Sequence, residues 1–326
     1  MGWDVVIAGA SFAGLATATE IRAKAVILDR YDLGTHETSA CGTFVRILKE
    51  FGCEEAILRT FDSIFLHAPR PNHIRLVEPL CTFDYRRLCE RLFARGRAKF
   101  TRVTVRGVQG KDVITDAGPF TSRCLVDATG WSAVLTNGAM RRDRCLAFGL
   151  EVDTDWEDEA MHFIVNPRIV RKGVAWIFPT DAGSRVGVAS YGPTNTLRSS
   201  LKAFLHRLGA EGYNLHGGAI PWDLQGGAHG KVFLVGDAAG LALPLTLEGI
   251  RRSLQAGRLC GRIVNEVIQD RISLEEGLQQ YDASVLKGER AYRLLASIQR
   301  NLGKGLDPLI GYMCRPRALQ KLYLGV

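Results

Sequence analysis

The chain opens on the pattern of a buried strand. Trp3-Asp4-Val5-Val6-Ile7-Ala8 is a short, mostly apolar, β-branched run that stops at Gly9, as a parallel strand covered on both faces does. Leu15 to Arg22 is rich in Ala and free of Gly and Pro, which predicts a helix, and Ala25-Val26-Ile27-Leu28-Asp29 predicts a second buried strand. Strand, glycine turn, helix and strand in that order make a βαβ unit. Phe83 to Arg95 reads as a helix with Leu88, Leu92 and Phe93 on one side. Strand-like pieces follow at Phe100 to Val108, Asp112 to Thr115 and Phe120 to Val126. From Phe148 to Tyr191 the β-like runs continue, among them 150–152, 162–165 and 186–189, which predicts an inserted antiparallel sheet. Thr196 to Leu208 reads as a helix. The opening pattern then returns: Lys231-Val232-Phe233-Leu234-Val235 runs into Gly236-Asp237, and a long helical stretch follows from about Leu247 to Gln269. The remainder reads as helical, broken near Gly303, Gly305 and Pro308.

Composition narrows the class. The 326 residues are 46% apolar and 23% charged, the balance of a globular protein of one large or two medium domains. No apolar run reaches the ~18–20 residues of a membrane-spanning helix, and the first residues lack the basic region of a signal peptide; the expected location is the cytoplasm. The formal net charge is +8. From Lys287 to Val326 eight basic residues stand against Glu289 and Asp307, a local net of +6. Such an excess suits an acidic protein partner or an anionic membrane surface. Nucleic acid is not expected, because no aromatic–basic interleaving or known module is present.

The eight cysteines include no C-x-x-C pair, which argues against zinc ribbons and thioredoxin-like chemistry. The seven histidines show no H-E-x-x-H spacing, and no metal is expected. No G-x-S-x-G elbow occurs, so hydrolase chemistry has no support.

The chemistry lies in the glycine turns. In Gly9-x-Ser11-x-x-Gly14, with Phe12 and Ala13 between, small residues allow a tight turn and close backbone approach to a pyrophosphate at a helix N-terminus. Asp29 follows Gly9 by 20 residues, at the end of the second strand, where a carboxylate accepts from a ribose diol. Two later strings, Asp127-Ala128-Thr129-Gly130 and Gly236-Asp237-Ala238-Ala239-Gly240, each follow a buried-strand run. Asp237 is placed to accept hydrogen bonds from a polyol such as a ribityl chain, or to cap a helix.

These three strings together resemble the FAD-binding fold of p-hydroxybenzoate hydroxylase and its relatives, and within that superfamily the geranylgeranyl reductase branch. Gly217-Gly218-Ala219-Ile220-Pro221, Pro244-Leu245-Thr246-Leu247-Glu248-Gly249-Ile250, Cys41-Gly42 and Trp176-Ile177-Phe178-Pro179 with Gly187 carry the second resemblance. The fold class it implies is α/β: a Rossmann-like FAD-binding domain, an inserted antiparallel β-sheet substrate domain and a helical C-terminus. The FAD domain is expected to be discontinuous, over 1–80, 100–145 and 230–270 with the helix of 81–99; the substrate domain spans 146–229 and the helical region 271–326.

Beyond Gly9, Ser11, Phe12, Ala13, Gly14 and Asp29, the resemblance implies FAD contacts at Arg30, Cys41, Gly42, Val103, Thr129, Gly130, Gly236, Asp237, Pro244, Glu248, Gly249 and Ile250. It also implies an arginine near the start of the 83–95 helix, where Arg86 and Arg87 stand and Arg86 is the candidate. Trp176, Phe178, Pro179 and Gly187 are the expected substrate residues. Leu247 departs from the branch by replacing a glycine of P-L-T-G-E-G, Val174 replaces the Tyr of Y-x-W-x-F-P, and Ala189 the last Gly of G-x-G.

The expected activity is reduction of carbon–carbon double bonds in an isoprenoid or similar apolar substrate. Cys41 is expected near the flavin, donating a proton or positioning the alkene. The electron donor is expected to be NAD(P)H or a ferredoxin-like acidic protein, and the basic C-terminal region to touch a membrane surface. Two alternatives stay open: an FAD-dependent monooxygenase or halogenase on an aromatic substrate, and a flavoprotein electron-transfer subunit.

Overall fold

The computed structural model describes residues 2–67, 71–139, 144–192 and 194–301. In chain order the regular elements begin with β1 (Trp3–Ala8), α1 (Phe12–Glu20), β2 (Ala25–Asp29), β3 (Gly42–Phe44) and α2 (Val45–Glu50). Next come β4 (Ile57–His67), β5 (Pro71–Phe83), α3 (Tyr85–Arg95), β6 (Lys99–Arg102), β7 (Val105–Gln109), β8 (Asp112–Thr115) and β9 (Gly118–Asp127). The second half holds β10 (Leu146–Thr154), β11 (Met161–Ile164), β12 (Gly173–Pro179), β13 (Ser184–Ser190), α4 (Leu197–Leu208) and β14 (Gly212–Pro221). It ends with β15 (Ala228–His229), β16 (Val232–Leu234), α5 (Ile250–Ile268), α6 (Leu274–Leu286) and α7 (Glu289–Asn301).

The chain divides into two units. The first comprises Met1–His36, Tyr85–Cys145 and Pro221–Tyr292, and the second Glu37–Asp84, Leu146–Ile220 and Arg293–Val326.

Unit 1 is built on a sheet of order β15-β16-β9-β1-β2-β6, with β7 and β8 added beside β9. The central strands are parallel: Val5 pairs with Ala25 on one side and Cys124 on the other, and Val232 pairs with Leu125. Val5, Val6, Ile7, Val26, Ile27 and Leu28 are fully buried, as the uninterrupted apolar runs predict. Each large aliphatic side chain so covered contributes about 1.5–3 kcal/mol. The parallel order fixes the site, because β16, β9, β1 and β2 all deliver their carboxyl ends to one edge. Ligands bind at that edge in open α/β sheets.

Unit 2 is an eight-stranded sheet of order β14-β10-β13-β12-β11-β4-β5-β3. One face, with Val152, Ala175, Ile177, Val186 and Val188, packs on Leu197, Leu201 and Phe204 of α4. The alternate residues of β10, β12 and β13 therefore occupy the opposite face.

Several expectations need correction. Residues 37–84, grouped above with the first βαβ unit, belong to unit 2: β4 and β5 pair through a long antiparallel ladder, and β4 joins β11. Their charges, Arg59 and Asp62 in β4 and Arg75 and Glu78 in β5, fall three positions apart rather than on alternate positions, and no long apolar run marks either strand, so they left no clear signal. The unit 2 sheet is mixed rather than purely antiparallel, since β11 runs parallel to β4. The 100–108 run splits into β6 and β7. The helix after Gly236-Asp237 begins only at Ile250. A four-residue 3-10 turn and an irregular segment come first. Residues 302–326, with most of the basic C-terminal segment and its breaks at Gly303, Gly305 and Pro308, lie outside the described residues. Among the described residues no helix is long and apolar enough to cross a membrane.

Candidate functional site

In unit 1 four loops leave adjacent parallel strand ends. After β1, Gly9 turns with φ +105°, and a Cβ there would stand 2.1 Å from the Ala128 carbonyl oxygen. A Cβ on Gly14 would stand 2.0 Å from the Gly9 oxygen. Gly9 is thus required by the close approach of the neighbouring loop after β9, and Gly14 by backbone approach within the turn itself. Leu15 N–H is bonded to the Ser11 carbonyl, so the first turn of α1, Phe12 to Gly14, stands at the N-terminal end of the helix, where an anion is favoured. The Ser11 hydroxyl lies 3.2 Å from Tyr85 Oη, and the Tyr85 ring packs on Phe12 with centroids 5.0 Å apart. The first turn of α3 thus stands beside the glycine turn. Arg86, the next residue, pairs with Glu90 at 2.8 Å and is largely exposed.

At the end of β2, Asp29 accepts from Ala10 N–H at 2.7 Å and Tyr31 N–H at 2.9 Å. A carboxylate has about four acceptor positions, so two remain for hydroxyl donors. Arg30 is exposed with its guanidinium 4.8 Å from the Tyr31 ring. Val103 is brought to this end by its N–H, which donates to the Asp29 carbonyl at 2.7 Å. After β9, the buried Asp127 gathers its own loop. It accepts from Thr129 N–H at 2.9 Å, Thr129 Oγ1 at 2.6 Å and Leu135 N–H at 2.6 Å. Burial pushes its carboxyl up and these bonds oppose the shift. Gly130 follows at φ +75°, with open space where a Cβ would stand.

Asp237 is the unusual group. It lies in the 3-10 turn, caps nothing, and its carboxylate accepts no hydrogen bond among the described residues. Burial pushes its carboxyl up to about 6, against the pull of Arg144. Arg144, which sequence reasoning missed, braces the turn by donating to the carbonyls of Asp237 at 3.0 Å, Ala238 at 3.4 Å and Trp131 at 3.1 Å. In the following segment Leu245 and Leu247 adopt φ +78° and +56°. Pro244 lies there too, Gly249 is the residue before α5 and Ile250 its first. Glu248 Oε2 pairs with Arg251 at 3.1 Å, while its buried Oε1 has no hydrogen-bond partner among the described residues. Two underused carboxylates, Asp237 and Glu248, beside a helix N-terminus at the glycine turn fit a cofactor that carries both polyol hydroxyls and a pyrophosphate, as FAD does.

In unit 2, Cys41 precedes β3 in the left-handed conformation, φ +51°, and is fully buried. A non-glycine residue held there is a mark of strain seen at functional sites. Its single S–H lies within donating distance of Glu37 Oε1, at 3.4 Å, and the Ser39 carbonyl, at 3.3 Å. Burial holds the thiol well above its usual range, and nearby Arg185 only partly opposes this. Glu37 is also raised by burial, with Arg185 Nη2 3.0 Å away pulling it down. Burial works against the Arg185 charge, yet Cys41, Glu37, Glu151 and Asp153 together hold it firmly protonated.

Trp176 and Phe178 share a sheet face as their spacing predicts, with ring centroids 6.3 Å apart. A Cβ on Gly42 would stand 2.9 Å from the Phe178 ring, so the Cys41-Gly42 pair lies directly against the aromatic wall. Trp176 is 8% exposed and its indole N–H donates to Glu151 Oε2. Glu151 Oε1 faces His216 Nε2 at 3.1 Å. Burial lowers the affinity of this histidine for a proton, but its bonds to Glu151 and to the Asn214 carbonyl overcome that and raise it to about 9. Pro179 ends β12 and its carbonyl accepts from Thr82 at 2.7 Å.

Within unit 1 the structure brings together the glycine turn, Asp29, Val103, Thr129 and the Gly236-Asp237 turn; within unit 2 it brings together Cys41, Gly42, Trp176, Phe178 and Gly187. Sequence reasoning missed Glu37, Glu151, Arg185 and His216. The signal was present: Glu151 and Asp153 alternate with Leu150 and Val152, and Arg185 with Val186 and Val188. Those charges occupy the face opposite a packed apolar one.

No protein-family model matches the chain. It is 29% identical over 180 residues to a digeranylgeranylglycerophospholipid reductase of Methanospirillum hungatei, covering 52% of this chain and 44% of that one. A second such reductase, from Methanopyrus kandleri, is 29% identical over 144 residues, 40% of this chain and 36% of that one. The matched stretch thus spans less than half the length of these curated relatives. Among solved structures, a geranylgeranyl bacteriochlorophyll reductase-like protein of Thermoplasma acidophilum superposes with TM-score 0.82 at 17% identity, over 92% of this chain and 87% of that one. The flavin-dependent brominase Bmp2 superposes with TM-score 0.75 at 14% identity, over 97% and 91%. The chain is thus similar in sequence to digeranylgeranylglycerophospholipid reductases over about half its length, and its fold is that of FAD-dependent oxidoreductases of the p-hydroxybenzoate hydroxylase type.

Proposed function

We propose that this protein is an FAD-dependent reductase that saturates carbon–carbon double bonds of a geranylgeranyl-type isoprenoid lipid. The observation that carries the reading is the Cys41 thiol, kept protonated by its surroundings and set beside Gly42, on which the Phe178 ring packs. Reduced FAD, when bound, supplies a hydride from N5. The chain's own residues supply the rest. Phe12, Ala13 and Gly14 N–H groups hold the pyrophosphate, Asp29 takes the ribose hydroxyls, and Asp237 accepts from the ribityl chain. Arg86 and Glu248 contribute at the periphery of that site. Trp176 and Phe178 offer an apolar wall on which each buried CH₂ of a prenyl chain contributes about 0.8 kcal/mol. Cys41 gives the proton that the second alkene carbon requires. Reducing equivalents come from NAD(P)H or from a ferredoxin-like acidic protein drawn to the basic surface, and the lipid is met at a membrane surface.

The reading is tested by mixing anaerobically reduced protein with digeranylgeranylglycerophospholipid in detergent. Oxidation of the flavin with gain of two hydrogens per double bond, read by mass spectrometry, is the expected result. Inertness toward this lipid combined with oxygen uptake that depends on an aromatic compound would overturn it in favour of a monooxygenase or halogenase. Oxidation by a protein partner alone would make the chain an electron-transfer subunit. Protein that remains colourless after incubation with FAD would remove the whole account.

A further inference from the structure

We propose that Glu37 is a proton-relay residue that connects the buried Cys41 thiol to solvent. The proposal deepens the reading of Cys41 as proton donor and rests on it for its role in turnover, but the relay itself is a property of this cluster.

A proton source must be recharged after each cycle. Cys41 has no exposed surface, so water has no direct access to its sulfur. Among the described residues the thiol has two hydrogen-bond partners, the Ser39 carbonyl at 3.3 Å and Glu37 Oε1 at 3.4 Å. A peptide carbonyl does not exchange protons at neutral pH; a carboxyl does. The Glu37 side chain is 30% exposed, so one carboxyl group reaches both the sulfur and the solvent.

Arg185 completes the device. Its Nη2 stands 3.0 Å from the same Glu37 oxygen that faces the thiol, and it stabilises the carboxylate left when the proton moves on. Its Nη1 donates to the Phe83 carbonyl at 3.0 Å, and the Phe83 N–H donates to the Cys41 carbonyl at 3.0 Å. Phe83 thereby fixes the guanidinium and the cysteine backbone to one point. A nearby Asp153, 3.7 Å from Arg185 Nε, keeps the arginine paired while Glu37 is neutral.

The proton steps balance without any change of oxidation state at sulfur or carboxyl. The Cys41 S–H bond breaks as the π bond of the substrate alkene breaks and its electron pair forms the new C–H bond. The other carbon takes the hydride of the proposed reaction, and a thiolate is left. The Glu37 carboxyl O–H bond then breaks as the S–H bond re-forms. The Glu37 carboxylate, paired with Arg185, takes its next proton from water.

The experiment follows deuterium exchange at the Cys41 S–H by infrared spectroscopy in D₂O, with a Cys41→Ser difference spectrum assigning the band. Glu37→Gln preserves an acceptor for the thiol but cannot carry a proton. It is expected to slow exchange by about a hundredfold, the size of effect a positioned acid or base supplies. Glu37→Asp is expected to restore part of the rate. Exchange in Glu37→Gln as fast as in the wild type would overturn the relay. Should the glutamine variant lose its fold, read by near-ultraviolet circular dichroism, Glu37→Asp carries the test: a carboxyl withdrawn by one methylene must slow exchange, and an unaltered rate overturns the proposal. Turnover of digeranylgeranylglycerophospholipid by Cys41→Ser separates the two layers. Wild-type turnover with slow exchange in Glu37→Gln removes Cys41 from the reaction and leaves the relay standing. Lost turnover with fast exchange does the reverse.

Discussion

Trp176 donates its indole N–H to Glu151 across a position that has no side chain. The two residues lie on β12 and β10, and Gly187 of β13 is the register partner of both. The indole lies flat on that glycine, where a Cβ would stand 2.1 Å from Cζ2. Gly187→Ala is therefore expected to expel the ring and strand the Glu151 oxygen. Overpacking plus a lost buried bond amounts to about 3 kcal/mol. Urea denaturation measures the loss, and a variant as stable as the wild type would refute this packing.

The His216–Glu151 pair predicts a pH dependence of stability. The folded-state pKa of about 9 lies above the usual 6.5, so the pair's contribution is complete below pH 6.5 and is lost as pH rises through about 9. Thermal melts across that interval should show a falling midpoint. His216→Gln should flatten the fall within the window; an identical slope in the variant would assign the effect to other groups.

Asp237 predicts a conflict between stability and cofactor binding. Its folded pKa, about 6, lies above the usual 3.8, so ionisation opposes folding, increasingly as pH rises from 3.8 through about 6. Asp237→Asn should thus melt higher than the wild type at neutral pH when free of cofactor. The same change should weaken FAD binding by about tenfold, the worth of one hydrogen bond to a charged acceptor. Calorimetry of FAD binding beside a melting curve reads both. A variant that binds FAD normally would remove Asp237 from the cofactor site.

Leu247 occupies a conformation suited to glycine, φ +56°, at the place where the P-L-T-G-E-G segment it resembles has glycine. The left-handed backbone costs about 1–2 kcal/mol for an ordinary residue. Leu247→Gly relieves this but adds about 0.5–1 kcal/mol of unfolded-chain entropy, so its stability should stay within about 1 kcal/mol of the wild type. Leu247→Val, with a branched Cβ, should lose more than about 1 kcal/mol. Chemical denaturation of the pair checks the order, and a valine variant as stable as the glycine variant would contradict it.

Much of the cofactor half was legible because its signals are local. The runs 3–8, 25–29 and 231–235 are apolar on both faces, which only a covered parallel strand requires. The glycines at 9 and 14 are needed by atoms within the same turn or one strand away. Trp176 and Phe178 were legible as a pair from period two alone. The strands over residues 57–83 were not, because neither pattern nor composition sets them apart from loop.

The sequence by itself determined the α/β class, the parallel strand ends and the glycine turns that follow them, since each follows from residues adjacent in the chain or repeating at a fixed period. Only the tertiary structure decided which charges meet. Glu37, Cys41, Glu151, Arg185 and His216 come from segments up to 179 positions apart, taking His216 and Glu37 as the ends. Their protonation states depend on shared burial and on distances of about 3 Å between side chains from different elements. Electrostatic coupling of that kind depends on separation in space, about which separation along the chain says nothing.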